Sequence, residues 1–133
     1  MTRVVVDTNV LVSAAINEQG SPAAVLSFIE SRHLLWCVSA PILAEYREVF
    51  ARPKFSHVRP SRIQALLAAI EQAALFVPTT TRDISADEPD NRFLECAEVA
   101  EADYLITRNT ADFPTHWKKT KIVTPRQLLQ HLR

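Results

Sequence analysis

Apolar and polar positions along this chain alternate between two rhythms. Val4, Val5 and Val6 form an unbroken β-branched run with no solvated positions, as expected of a strand buried on both faces of a parallel sheet. The run ends in Asp7-Thr8-Asn9, and a short helical pattern follows over Val10–Ile16. After a polar turn from Asn17 to Gly20, Ser21-Pro22 reads as a helix start, with Ser as N-cap and Pro in the first helical position. Val25, Leu26, Phe28 and Ile29 supply that helix's buried face, and it ends near Arg32-His33. Leu34-Leu35-Trp36-Cys37-Val38 is a second strand. Ser39 then caps a helix that holds Pro41 in its first turn and stops at Pro53. Ser61–Leu75 is the longest helical stretch, with Ile63, Leu66, Leu67, Ile70 and Ala74 on one stripe. Phe76-Val77 begins a short strand closed by Pro78, and the segment from Thr79 to Asp90 is a threonine-rich, then acidic, loop. Asn91–Glu101 is helical, Tyr104–Thr107 and Ile122-Val123 are strands, and Thr124-Pro125 opens a last helix over Pro125–Leu132. Strands alternating with helices predict an α/β domain in three Rossmann-like layers, a parallel sheet with helices on both faces and the valine strand at its centre.

Composition narrows this picture without redirecting it. The chain has 133 residues, 47% hydrophobic and 23% charged, which fits one globular domain over residues 1–133. Lys plus Arg and Asp plus Glu are equal at 15 each, so no overall field announces nucleic acid, although a local basic surface remains open. No apolar run is long enough to span a membrane, and Met1-Thr2-Arg3 leads straight into a strand, so neither a membrane span nor a signal peptide is expected and the cytoplasm is the expected location. One glycine among eight prolines leaves no Gly-rich phosphate loop. Cys37 and Cys96 match no metal-ligand spacing and read as buried free thiols. His33, His57, His116 and His131 are scattered and form no cluster, and Trp117 beside Lys118-Lys119 reads as a loop residue covering the core.

Candidate chemistry lies in the acids. Asp7 ends the first strand, at the sheet edge where open α/β folds bind ligands. Glu45 follows Ile42 by three residues and precedes Val49 by four, so it sits beside the apolar stripe of its helix. Asp87, Glu88 and Asp90 precede the helix at Asn91, and Asp112 follows the strand ending at Thr107. Each also has an ordinary structural reading: a cap for Asp7, a solvated position for Glu45, acids complementing a helix dipole for Asp87 and Asp90, a turn for Asp112. Carboxylates gathered at one edge repel unless a cation sits among them, and an all-oxygen donor set suits Mg²⁺ or Mn²⁺. Hydrolysis of a phosphodiester is the reaction such a site suits.

Four segments in order, Val4-Val5-Val6-Asp7-Thr8-Asn9-Val10-Leu11, Pro41-Ile42-Leu43-Ala44-Glu45-Tyr46, Asp87-Glu88-Pro89-Asp90-Asn91-Arg92-Phe93-Leu94-Glu95-Cys96-Ala97 and Ala102-Asp103-Tyr104-Leu105-Ile106-Thr107-Arg108-Asn109, resemble the PIN domain, nearest to the bacterial toxin components of toxin–antitoxin pairs. The resemblance implies a five-stranded parallel sheet in the order 3-2-1-4-5 and a Mg²⁺-dependent ribonuclease, with Mn²⁺ as an alternative ion. It also implies an RNA substrate, an antitoxin partner and pairing into homodimers. Asp7, Glu45 and Asp90 then become the metal-binding acids, with Asp112 as a further catalytic acid. Many members carry an Asp two residues after the fourth-strand Thr, where this chain has Asn109, so either Asn109 or Asp112 completes the site. Asn9, Asp87, Thr107 and Asn109 are supporting residues that orient acids or waters. Arg47, Arg92 and Arg108 are the candidates for contact with RNA phosphate. Two other functions stay open: a catalytically weakened RNA- or partner-binding module, kept in view by Asn109, and an aspartate-based phosphatase or phospho-acceptor, disfavoured because Thr8-Asn9 supplies no second Asp two residues after Asp7.

Overall fold

Strand β1 (Thr2–Val6) is built from the valine run, and Val4, Val5 and Val6 have no exposed surface. Burying each such side chain contributes roughly 1.5–3 kcal/mol, which makes this strand the natural centre of the sheet. The computed structural model describes residues 1–31, 33–56, 58–78 and 91–132. Helices α1 (Thr8–Ile16) and α2 (Ser21–Glu30) lead to β2 (Leu34–Val38), and α3 (Ala40–Phe50) and α4 (Pro60–Ala73) lead to β3 (Leu75–Phe76). Then come α5 (Asn91–Ala100), β4 (Tyr104–Ile106), β5 (His116–Trp117), β6 (Thr120–Val123) and α6 (Pro125–His131). The expected loop from Thr79 to Asp90 lies outside the described residues.

The strands lie in the order β3-β2-β1-β4-β6-β5. All pairings are parallel except that of β5 with β6. The expected order of five parallel strands therefore holds, with β6 in fifth place, and a sixth, antiparallel edge strand is added. Its turn passes through Lys118 at φ 53°, a left-handed conformation that lysine enters reluctantly, so the usual Asn-Gly hairpin signal is missing. Helix boundaries shift slightly from expectation. The first helix begins at Thr8 with Asp7 as N-cap, the second is capped by Gly20 and not Ser21, and the longest begins at Pro60 behind Arg59. Thr124 caps α6 as expected, its Oγ1 accepting from the Gln127 N–H while the Gln127 side chain accepts from the Thr124 N–H.

With a single glycine in the chain, α5 ends on Glu101 at φ 50°. The Ala102 N–H donates to the Ala97 carbonyl at 2.9 Å and the Glu101 N–H to Glu98 at 3.2 Å, the paired bonds of a left-handed helix stop. That stop turns the chain directly into β4. The start of β1 is tied to the same corner: the Arg3 N–H donates to Asp103 Oδ2, and the Arg3 guanidinium to the Ala100 carbonyl, both at 2.8 Å. Helix α2 lies against α1 and α6, whereas α5 spans β1, β2 and β4 with α3 beside it.

Both cysteines are buried in this core. Burial pushes the Cys37 thiol up to about 11 against the lowering effect of Arg3, and burial pushes Cys96 up to about 12. Folded-state values raised above the ordinary value of about 9 mean that neutral thiols contribute stability that is complete below that pH. That contribution is lost as pH climbs towards the two folded-state values. We expect neither thiol to react with a disulfide reagent at neutral pH until denaturant is added, and the unfolding midpoint to fall above about pH 9. Rapid labelling of the native protein would contradict the burial.

Candidate metal centre at the carboxyl edge of the sheet

Asp7 owes its position to the end of β1. Its backbone N–H donates to the Ile106 carbonyl of β4 at 2.9 Å, which extends the sheet pairing one residue past the end of β1. The Thr107 hydroxyl donates to Asp7 Oδ2 at 2.8 Å, and both residues are buried. The same Thr107 oxygen accepts the Asn109 N–H at 3.1 Å, and Asn109 Nδ2 donates to Asp112 Oδ2 at 2.6 Å. Asp112, Asn109, Thr107 and Asp7 thus form one hydrogen-bonded chain. Asn109 and Asp112, alternatives in the sequence, are joined here, and both are exposed. Asn9 stands beside them, with Nδ2 3.5 Å from Thr107 Oγ1 and Oδ1 accepting the Arg108 N–H at 3.2 Å.

Glu45 reaches this edge through its neighbour Tyr46. The Tyr46 ring is fully buried, edge-on to Trp36 at 6.1 Å between centroids, and its hydroxyl donates to the Val6 carbonyl. Burial holds this phenol well above its ordinary range, so it remains a donor. Val6 immediately precedes Asp7, so the bond anchors α3 at the end of β1 and brings Glu45 to the acid's own corner. There Glu45 Oε2 accepts from the Thr8 hydroxyl, and Oε1 pairs with the Arg92 guanidinium at 3.3 Å. With side-chain exposures of 14% for Glu45 and 33% for Arg92, this pair is better shielded from solvent than the other ion pairs among the described residues.

Asp7 and Glu45 line one cleft of about 560 Å³, together with Thr8, Asn9, Arg92 and Phe93. Arg52 and Lys54 line it too, the former 3.6 Å from Glu48. Two of the three metal-binding acids implied by the resemblance therefore converge. The third, Asp90, lies outside the described residues, as does Asp87. Among the described residues no three His, Cys, Asp or Glu side chains gather in metal-binding proximity. The oxygen donors lining the cleft are the carboxylates of Asp7, Glu45 and Glu48 (the last near Arg52), a hydroxyl and an amide, with no described sulfur or imidazole, a set that fits a hard divalent ion. Of the arginines expected to meet phosphate, Arg92 pairs with Glu45 and Arg47 with Glu71, while Arg108 is exposed at the same sheet edge. Thr8 and Tyr46 were not among the expected site residues. Thr8 reads as a turn residue and Tyr46 as plain core, and only the approach of α3 to β1 gives either a part in the site.

The comparisons with known proteins agree with this architecture. An uncharacterized protein of Methanocaldococcus jannaschii is 32% identical over 103 residues, covering 75% of this chain. The chain spans 66% of that relative's length, slightly less than two thirds. The fold is similar to that of a chain in the crystal structure of VapBC2 from Rickettsia felis bound to a DNA fragment from their promoter, with a TM-score of 0.62 and 15% identity over 92% of this chain and 98% of that one. The family model of the PIN domain matches residues 3–111, from the first strand of the sheet past the Thr107–Asn109 corner. With that match over most of its length and acids meeting at the end of β1, the chain belongs to the PIN domain family.

Proposed function

We propose that this protein is a divalent-metal-dependent endoribonuclease, the toxin of a toxin–antitoxin pair acting in the cytoplasm. The observation that carries the reading is the meeting of Asp7 and Glu45, from β1 and α3, in one cleft at the carboxyl edge of the sheet. PIN domains are in general nucleases, which supports hydrolysis of a nucleic acid; the RNA substrate and the antitoxin partner come from the motif resemblance and from likeness of fold to VapBC2.

In this reading Asp7 and Glu45, with Asp90, would hold Mg²⁺ or Mn²⁺. The bound ion would make a water more acidic and offset charge on the phosphate. The remaining steps belong to the chain itself. The Thr107 hydroxyl fixes the Asp7 carboxylate, so no reorganisation is needed when substrate arrives. Thr8 and Arg92 hold Glu45 from two sides, and Lys54 puts positive charge along the cleft wall where a phosphate backbone would pass. The purified chain should cut single-stranded RNA with Mg²⁺ present, stop on addition of EDTA, and recover with excess Mn²⁺. Cleavage that persists in EDTA would remove the metal from the reaction.

The Arg92–Glu45 pair also favours a second reading, because a guanidinium already offsets one acid of the cleft. A module that binds RNA or a partner without cutting would show RNA affinity and no products at any divalent concentration.

A further inference from the structure

A second cleft lies beside Arg108, the residue whose backbone is bonded to Asn9. It measures about 450 Å³, and Arg108 and Arg126 line it with Ser13, Ser21 and Thr124. Arg108 directly follows Thr107, whose hydroxyl holds Asp7, and the Arg108 backbone is bonded to Asn9. Asn9 itself lines the acidic cleft, so its bond to Arg108 links the two clefts.

The first cleft mixes Asp7, Glu45 and Glu48 with Arg52, Lys54 and Arg92, whereas the charged side chains lining the second are basic alone. Arg47, Arg52, Arg62, Arg92 and Lys118 are each matched by a glutamate. Among the described residues neither Arg108 nor Arg126 makes an ion pair, and no Asp or Glu lines their cleft. Arg108 Nη1 donates to Ser13 Oγ at 2.5 Å, which holds the guanidinium in place without neutralising it. Arg126, in the first turn of α6, is exposed. Two guanidiniums without an acid partner among the described residues, one already oriented and with hydroxyls beside them, each carry the planar set of donors that suits a phosphate.

We propose that this cleft seats a backbone phosphate of single-stranded RNA flanking the bond to be cut, so that the strand runs from the acid pair over Asn9 to Arg108 and Arg126. The substrate class rests on the nuclease reading above; the phosphate chemistry rests on the arginines. The test is a titration of a labelled single-stranded RNA oligomer into the full chain carrying Asp7→Asn, with and without added Arg108→Ala and Arg126→Ala. Losing both arginines should weaken binding about tenfold and make the salt dependence shallower by about 0.7 in log–log slope, one phosphate's share for a single strand. Binding of a dinucleotide, whose one phosphate the acidic cleft can take, should stay the same.

Arg126→Glu alone provides the arm least dependent on folding, since that side chain is exposed, and it should weaken oligomer binding at least as much. Unchanged affinity and slope would overturn the proposal. So would absence of RNA binding by the parent chain, or arginine-dependent binding of a poly-glutamate peptide with RNA affinity untouched. The two readings fail separately. Arginine-dependent RNA binding by a wild-type chain that never cuts RNA sinks the nuclease and keeps the phosphate seat; cutting with arginine-independent binding does the reverse.

Discussion

Replacing Asp7 with asparagine should lower metal-dependent RNA cleavage by at least about a hundredfold while leaving the protein folded. The substitution keeps the side chain's shape, and its amide oxygen can still accept the Thr107 hydroxyl. The backbone bond to Ile106 does not involve the side chain. Asn serves as well as Asp at the N-cap of α1, where Asp7 makes no side-chain capping bond. Stability should therefore change by no more than about 1 kcal/mol. What disappears is the negative charge that would hold a cation, so the change isolates electrostatics from architecture. The check is a cleavage time course at fixed Mg²⁺ beside a thermal melt. An undiminished rate would take Asp7 out of the chemistry.

Phe93→Ala should cost stability instead, by about 3–5 kcal/mol. Phe93 is 1% exposed and lines the acidic cleft, on the helix that spans β1, β2 and β4. Among the described residues, β1, β2, β4 and α3 pack against that helix, so the space left by the ring closes only if these elements shift. The neighbouring residue is Arg92, so loosening α5 also loosens the guanidinium that holds Glu45. Denaturant unfolding should show the loss directly. At temperatures where the variant is still folded, cleavage should fall as well. A loss under about 1 kcal/mol would show that α5 is held by something other than this ring.

Where sequence and structure agree, the reason is local. Three consecutive valines cannot sit anywhere but between two covered faces, and an acid after them must lie at the sheet edge. Where they differ, the missing information is a contact between distant elements. Nothing in Ala44-Glu45-Tyr46 says that the tyrosine hydroxyl will find the Val6 carbonyl, yet that bond directs Glu45 to Asp7. Nothing around Thr8 marks it as a partner for Glu45. The β5–β6 hairpin escaped for the opposite reason, since His116–Trp117 is too short for any period and turns through a lysine. Of the candidate acids, Asp7, Glu45 and Asp112 have a described setting, while Asp87 and Asp90 lie outside the described residues.

The hydrogen bond from Thr107 to Asp7 joins residues 100 positions apart in the sequence. A ribosome makes Asp7 one hundred residues before its hydroxyl partner. A nascent chain therefore carries the carboxylate before the group that aims it exists, and this corner is complete only once β4 docks beside β1. On the proposed reading, that order of synthesis would keep RNA cleavage from starting before both strands are made.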